Sequence, residues 1–164
     1  NYSVNRTLTR CAGSRRLPQA LGGCINISDS MISFVRNPAL DDETLNSLFA
    51  ASWSNHRPRS FVNVLERSLC FFGAFDGDRL VGFVNVATDG GAHAFLLNPT
   101  VHPAYRRHGL GTRLVAAAID AAKGARCQWL HVDFETHLAS FYDACGFTPT
   151  HAGLISLAAS PNDR

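Results

Sequence analysis

Arg106-Arg107-His108-Gly109-Leu110-Gly111-Thr112 is the stretch on which the reading of the whole chain turns. It follows an apolar run that ends Val101-His102-Pro103, and it opens a segment in which Leu110, Leu114, Ala118 and Ala122 share one helical face. A strand therefore feeds a loop that starts a long helix. The first amides of a helix lack internal acceptors and carry the positive end of its dipole, so this turn suits an anion. Gly109 and Gly111 have no Cβ, which lets a ligand come close to the backbone. Arg106, Arg107 and His108 add charge beside it. The expected ligand group is a phosphate or pyrophosphate.

Other glycine motifs fit less well. No G-x-x-x-x-G-K-[ST] string is present, which disfavours nucleotide hydrolysis. A dinucleotide fingerprint needs a third glycine where this chain has Leu114, and a glycine directly after the strand. A glycine-bearing helix start without any ligand is the plain alternative.

Working upstream, Ile32-Ser33-Phe34-Val35 alternates as a strand does and stops at Asn37-Pro38. Asp41 or Asp42 caps a helix carrying Leu45, Leu48 and Phe49 on one face. Trp53 to Arg57 is a loop, and Pro58 suits the first turn of a second helix bearing Phe61, Leu65 and Leu69. Cys70 to Phe75 and Arg79 to Ala87 form a hairpin about Asp76-Gly77-Asp78. Ala92 to Val101 is the next strand, and Pro99 implies a bulge or a place where it leaves a neighbour. Downstream, Trp129 to Phe134 is a strand and Leu138 to Cys145 a helix closed by Gly146. Phe147 to Thr150 and Leu154 to Leu157 read as terminal strands. The result is an α/β (α+β) chain with a mixed, mostly antiparallel sheet, not a doubly wound parallel one.

With 164 residues, this is one domain's length. No apolar run approaches the roughly 20 residues of a membrane helix. The formal charge is +2, but residues 1–30 carry +3 and the remainder −1. Residues 1–30 thus read as a basic extension, and residues 31–160 as the single folded domain. The only methionine, Met31, precedes the patterned part and is a candidate natural start. A basic arm with one aromatic, Tyr2, is a weak case for nucleic acid. Five cysteines without C-x-x-C spacing, and seven scattered histidines, suggest neither disulfides nor a metal site. A cytoplasmic location is expected, with no membrane partner.

Arg106-x-x-Gly109-x-Gly111 after an apolar strand resembles the acyl-CoA-binding motif Q/R-x-x-G-x-G/A of the GNAT superfamily of N-acyltransferases. Phe141-Tyr142-Asp143-Ala144-Cys145-Gly146-Phe147 resembles that family's later F/L-Y-x-x-x-G-F segment. The order of elements matches from Ile32 onward. The resemblance implies two central strands that splay apart to form a slot for pantetheine, flanked by helices. It implies backbone contacts to acetyl-CoA from Thr100, Val101 and His102, with the Val101 N–H holding the oxyanion. It further implies a pyrophosphate cradle from Arg107, His108, Gly109, Leu110, Gly111 and Thr112, with Arg106 or Arg107 on the 3′-phosphate.

By the same resemblance, Tyr142 is the general acid for the departing thiolate. No carboxylate stands on the Ala92–Val101 strand, so the base is sought at Glu135, then Asp133. Cys127 and Cys145 have no adjacent base and read as core residues. The loop Trp53-Ser54-Asn55-His56-Arg57 is the candidate acceptor surface. The implied activity moves an acetyl group from acetyl-CoA to a primary amine of a small molecule or peptide, by direct attack in a ternary complex and with no metal. A homodimer is compatible with this reading. The alternative is a non-catalytic acyl-CoA-binding or sensor domain.

Overall fold

A computed structural model describes residues 31–157. The basic extension, and the last residues of the expected 31–160 domain, lie outside that range. Strand β1 (Ser33–Arg36) leads through helices α1 (Asp42–Ser52) and α2 (Val62–Arg67) to strands β2 (Cys70–Asp76), β3 (Arg79–Thr88) and β4 (His93–Val101). A 3-10 turn at Pro103–Tyr105 precedes α3 (Leu110–Gly124). Strand β5 (Trp129–Val132), a second 3-10 turn at Thr136–Leu138 and α4 (Ala139–Ala144) complete the order.

The five strands line up in sequence order. β1 to β4 pair antiparallel, and β4 pairs parallel with β5. Each face of the sheet has its own core. Val84, Val86, Ala94 and Leu96 meet Leu114, Val115 and Ala118 of α3 on one face. Phe83 and Leu80 meet Leu45, Leu48, Phe49 and Phe61 on the other. These side chains are nearly all fully buried, and each Val, Leu and Phe among them contributes about 1.5–3 kcal/mol of hydrophobic stabilisation.

Local chemistry decides the helix starts. Asp41 is the cap of α1, its Oδ1 accepting the Thr44 N–H at 2.8 Å, and hydrogen bonding from the Thr44 side chain first, then from its N–H, holds the Asp41 carboxyl below its ordinary range. Asp42 instead accepts the Phe61 N–H at 2.7 Å. Asn46 Oδ1 accepts the Arg59 N–H at 3.0 Å, and Asn46 Nδ2 donates to the Arg59 carbonyl at 2.8 Å. These long-range bonds hold residues 59–61 out of the helix, so α2 begins at Val62 and Pro58 lies ahead of it, not in its first turn.

The two terminal strands expected at Phe147–Thr150 and Leu154–Leu157 do not form; residues 147–157 are irregular. Leu154, Ile155 and Leu157 are exposed. Short apolar runs become strands only when a ladder partner and a covered face are supplied. Among the described residues β5 pairs with β4 alone.

Candidate active site

The site begins with a bulge. Phe83 faces Thr100 while Asn85 faces Leu97, so β4 spends one more residue than β3 over the same stretch. Asn98 takes φ of 52° there, and Pro99 follows it without an N–H to pair. On the other side, β4 pairs with β5 only from His93 to Leu96, opposite Trp129 to Val132. From Leu97 to Val101 the two strands part, which is the expected splay.

The ladder phase decides which backbone groups face this gap. His102 N–H donates to the Val81 carbonyl at 2.9 Å. In an antiparallel pair, residues that exchange bonds alternate with residues whose N–H and C=O face outward. Thr100 shares the bonded phase of His102. Val101, opposite Gly82, faces outward. Its carbonyl accordingly accepts from Arg106 Nε at 3.2 Å. The His102 N–H is spent on β3 and its carbonyl accepts the Tyr105 N–H at 2.8 Å, while the ladder phase turns the Thr100 backbone towards β3. Val101 is the one of the three whose amide faces the gap.

The start of α3 is open. Gly109 is its N-cap at φ 76°, with no side-chain cap. A Cβ on Gly109 would meet nothing within 4 Å, so the space beside it is free for a ligand. Arg107 also takes a positive φ, 67°, two residues before Gly109. Arg107, His108 and Thr112 are exposed, Gly111 is half-buried and Leu110 anchors in the core. His108 Nδ1 lies 2.7 Å from the Arg106 carbonyl, tying the loop to itself. Gly111 has a different task from Gly109. A Cβ there would sit 3.4 Å from the Phe141 ring and 3.8 Å from Val101 Cγ2, so it lets α4 approach the end of β4.

Arg106 is engaged on the protein itself. Besides Val101, it donates from a guanidinium nitrogen to the Ser52 carbonyl at 3.2 Å. It thereby clamps the last carbonyl of α1, a site the helix dipole favours for a cation, to the end of β4. His102 lies beside it, with Nε2 at 2.9 Å from Arg79 and Nδ1 at 3.2 Å from the Ala104 N–H. A neutral imidazole accepts at one nitrogen only, so these two contacts alternate. Burial, then the charges of Arg79 and Arg106, hold the His102 pKa below its ordinary value. His102 also lines a cleft of about 300 Å³ with Glu43, Ser47, Asp78 and Arg79, against α1.

Tyr142 stands on the α3 side of the sheet, 2% exposed. Its ring stacks on Phe134 at 4.5 Å and meets Phe141 and Phe147 edge-on. Burial first, and then the neighbouring Cys145, push its phenol up to about 12. Among the described residues the one buried polar side-chain atom lacking a partner is Ser52 Oγ. Glu135 stands differently. Its side chain is 82% exposed and pairs with His137 Nδ1 at 3.2 Å. Asp133 is likewise exposed. Cys145 is half-buried, and burial raises its thiol pKa, which suits a packing residue. Trp53 stacks on Phe49 at 4.9 Å, while His56 bonds Asn46 Oδ1 at 2.8 Å. The acceptor-loop candidate is thus pinned to α1. Among the described residues no group of three or more metal-ligating side chains comes together, and no helix is long and apolar enough to cross a membrane.

Two features escape motif reading. One is the Arg106 clamp. The other is the buried Asn85, whose sole sequence signal is an amide interrupting the apolar run Leu80 to Ala87.

A parallel pair that parts, an outward-facing amide where it parts and an uncapped glycine turn stand together on a mixed, mostly antiparallel sheet flanked by helices. The profile of the acetyltransferase (GNAT) family matches residues 39–147, and the chain belongs to that family. It is 27% identical, over 131 residues, to an uncharacterised N-acetyltransferase (ycf52-like) of Prochlorococcus marinus, covering 76% of this chain and 73% of that one. A GNAT-family acetyltransferase from Streptococcus pneumoniae superposes with a TM-score of 0.68 at 24% identity, covering 79% of this chain and all of the other. An aminoglycoside N-acetyltransferase in complex with CoA gives 0.62 at 18% identity, covering 80% and 97%. The two structural likenesses carry the fold alone. Family membership carries acetyltransfer in general.

Proposed function

We propose that the chain transfers an acetyl group from acetyl-CoA to a primary amine of a small molecule or peptide, by direct attack within a ternary complex. The observation that carries this is the Val101 amide, outward-facing where β4 and β5 part, between the open start of α3 and Tyr142 on α4. The residues fit acetyl-CoA as a substrate. The cradle from Arg107 to Thr112 takes the pyrophosphate. Exposed Arg107, without a side-chain partner among the described residues, is the cation for the 3′-phosphate, since Arg106 is engaged on Ser52 and Val101.

In the reaction the amine nitrogen bonds to the thioester carbon while the carbonyl electrons move onto oxygen. The Val101 N–H steadies that oxyanion, a donor aimed where charge develops. The C–S bond then breaks, and the thiolate is met by the Tyr142 hydroxyl. A phenol near 12 is a weak acid against a thiol of about 8.5, so full transfer from it is uphill. Tyr142 therefore acts as a hydrogen-bond donor to the departing sulfur, and the thiol's final proton comes from solvent. The amine's proton leaves to water. Glu135, standing in solvent, attracts a cationic amine and is the residue to test for a share in deprotonation. The catalytic unit is residues 31–160.

The second reading, a non-catalytic acyl-CoA sensor, is favoured by the absence of any carboxylate on β4. Thiol release from acetyl-CoA with a panel of primary amines separates the two: a polyamine, an arylalkylamine, an amino sugar and a peptide α-amine. Turnover of any member supports the enzyme, and calorimetric binding without turnover supports the sensor.

A further inference from the structure

A chain of polar groups, half-buried at Ser68 and Asn98 and fully buried at Asn85, runs from the end of α2 to the β4 bulge. The Ser68 hydroxyl donates to the Val64 carbonyl at 2.7 Å. Asn85 Nδ2 donates to Ser68 Oγ at 3.1 Å, and Asn98 Nδ2 donates to Asn85 Oδ1 at 2.8 Å. A peptide carbonyl only accepts, so the Ser68 proton is committed to Val64. Its oxygen must then receive the NH₂ of Asn85, which turns Asn85 Oδ1 towards Asn98. Asn98 is thereby forced to offer its NH₂ inward, and the polarity of the chain is fixed at every link. Its Oδ1 is the open end, an acceptor with no partner among the described residues.

The apparatus is costly for a merely structural link. Asn85 is 1% exposed amid an apolar sheet face, where amides are retained only when bonded. Asn98 holds a left-handed φ of 52°, and Thr100 Oγ1 donates to its carbonyl at 3.0 Å, fixing the bulge from the other side. Such strain persists where the surroundings over-determine it. The bulge also lies where β4 has just left β5, on the sheet face that carries α1 and α2 and is opposite α3.

We infer that Asn98 is a specificity-determining residue for the acceptor. Its Oδ1 takes one N–H of the attacking amine, so that the nitrogen lone pair is turned towards the thioester carbon, and Asn85 and Ser68 are positioning residues that keep that oxygen outward. An acceptor-only group selects a substrate that donates, namely a primary amine, over an anionic one. The inference rests on the acetyltransfer reading given above.

The test uses the full chain, the amine panel and acetyl-CoA. Asn98→Gly keeps the positive φ without strain and removes only the amide. The expected result is a fall of about tenfold in kcat/KM for the amine, the size of one hydrogen bond to a polar substrate. The calorimetric Kd for acetyl-CoA should stay within about twofold. Ser68→Ala, which leaves β4 untouched, frees the chain to reverse and should raise the amine KM about threefold with the same Kd; it carries the test if Asn98→Gly is less stable. Amine kcat/KM within twofold of the parent in both variants, or an acetyl-CoA Kd that worsens in step, overturns the inference and leaves acetyltransfer standing. A parent chain that binds acetyl-CoA yet acetylates no amine overturns the enzyme reading, and this inference with it.

Discussion

Replacing Tyr142 with Phe removes one oxygen and leaves the ring stack on Phe134 and the edge contacts with Phe141 and Phe147 in place. Stability at neutral pH should change little. The rate should change more. If the hydroxyl donates to the departing thiolate, the lost bond is one to a charged acceptor, worth about 1.5–3 kcal/mol, so kcat falls about 10- to 150-fold. The Kd for acetyl-CoA should stay within about threefold, because that bond strengthens only as the sulfur gains charge. The high pH limb gives an independent check. Folding holds the phenol at about 12 against 10 in the unfolded chain, so the neutral form is the one that folding favours. That preference is fully present below pH 10 and is lost as pH rises through about 12, at a total of about 3 kcal/mol. The parent should therefore lose stability above pH 10 faster than Tyr142→Phe does, in urea melts followed by tryptophan fluorescence. A stopped-flow kcat within threefold of the parent would refute the role of the hydroxyl. Parallel stability curves from pH 9 to 12 would refute its burial.

Further outcomes follow from the same geometry. Gly109→Ala places its Cβ in free space but forces an L-residue to φ 76°, costing about 1–2 kcal/mol, and it crowds the cradle; Tm should drop about 5 °C with a clear loss of acetyl-CoA affinity, read by calorimetry. Gly111→Ala instead meets Phe141 at 3.4 Å without backbone strain, so its acetyl-CoA Kd should change less than that of Gly109→Ala. Arg106→Gln breaks the bridge between the Ser52 and Val101 carbonyls, and limited proteolysis should then cut the Trp53–Arg57 loop faster than in the parent. Glu135→Gln should leave the ascending limb of the pH–rate profile in place while raising the KM of a cationic amine more than that of a neutral one; a displaced limb would make Glu135 the base.

Some of this was written locally in the chain. A left-handed residue at Gly109, the caps at Asp41 and Gly146, the two-residue turn at Gly77-Asp78 and the face of α3 all follow from neighbouring residues. So does the order of elements from β1 to α4, because each is set by a period or a turn a few residues long. The glycine turn before α3 and the segment around Tyr142 are legible for the same reason: the residues of each motif are close in sequence.

What the tertiary structure decided needs groups far apart in the chain. The outward direction of the Val101 amide is set by β3 through a bond between His102 and Val81. Arg106 is tied to the end of α1 by Ser52, 54 positions away. The start of α2 is set by Asp42 and Asn46 on α1. Asn98 has its amide oriented by Asn85, 13 residues away, which is itself oriented by Ser68, a further 17 residues back. The exposure of Glu135, and the irregular course of residues 147–157 despite their strand-like composition, depend on what packs against them. Local torsional and hydrophobic preferences act over a turn and are legible in one dimension. Ladder phase, hydrogen-bond polarity and burial belong to partners that only the fold brings together.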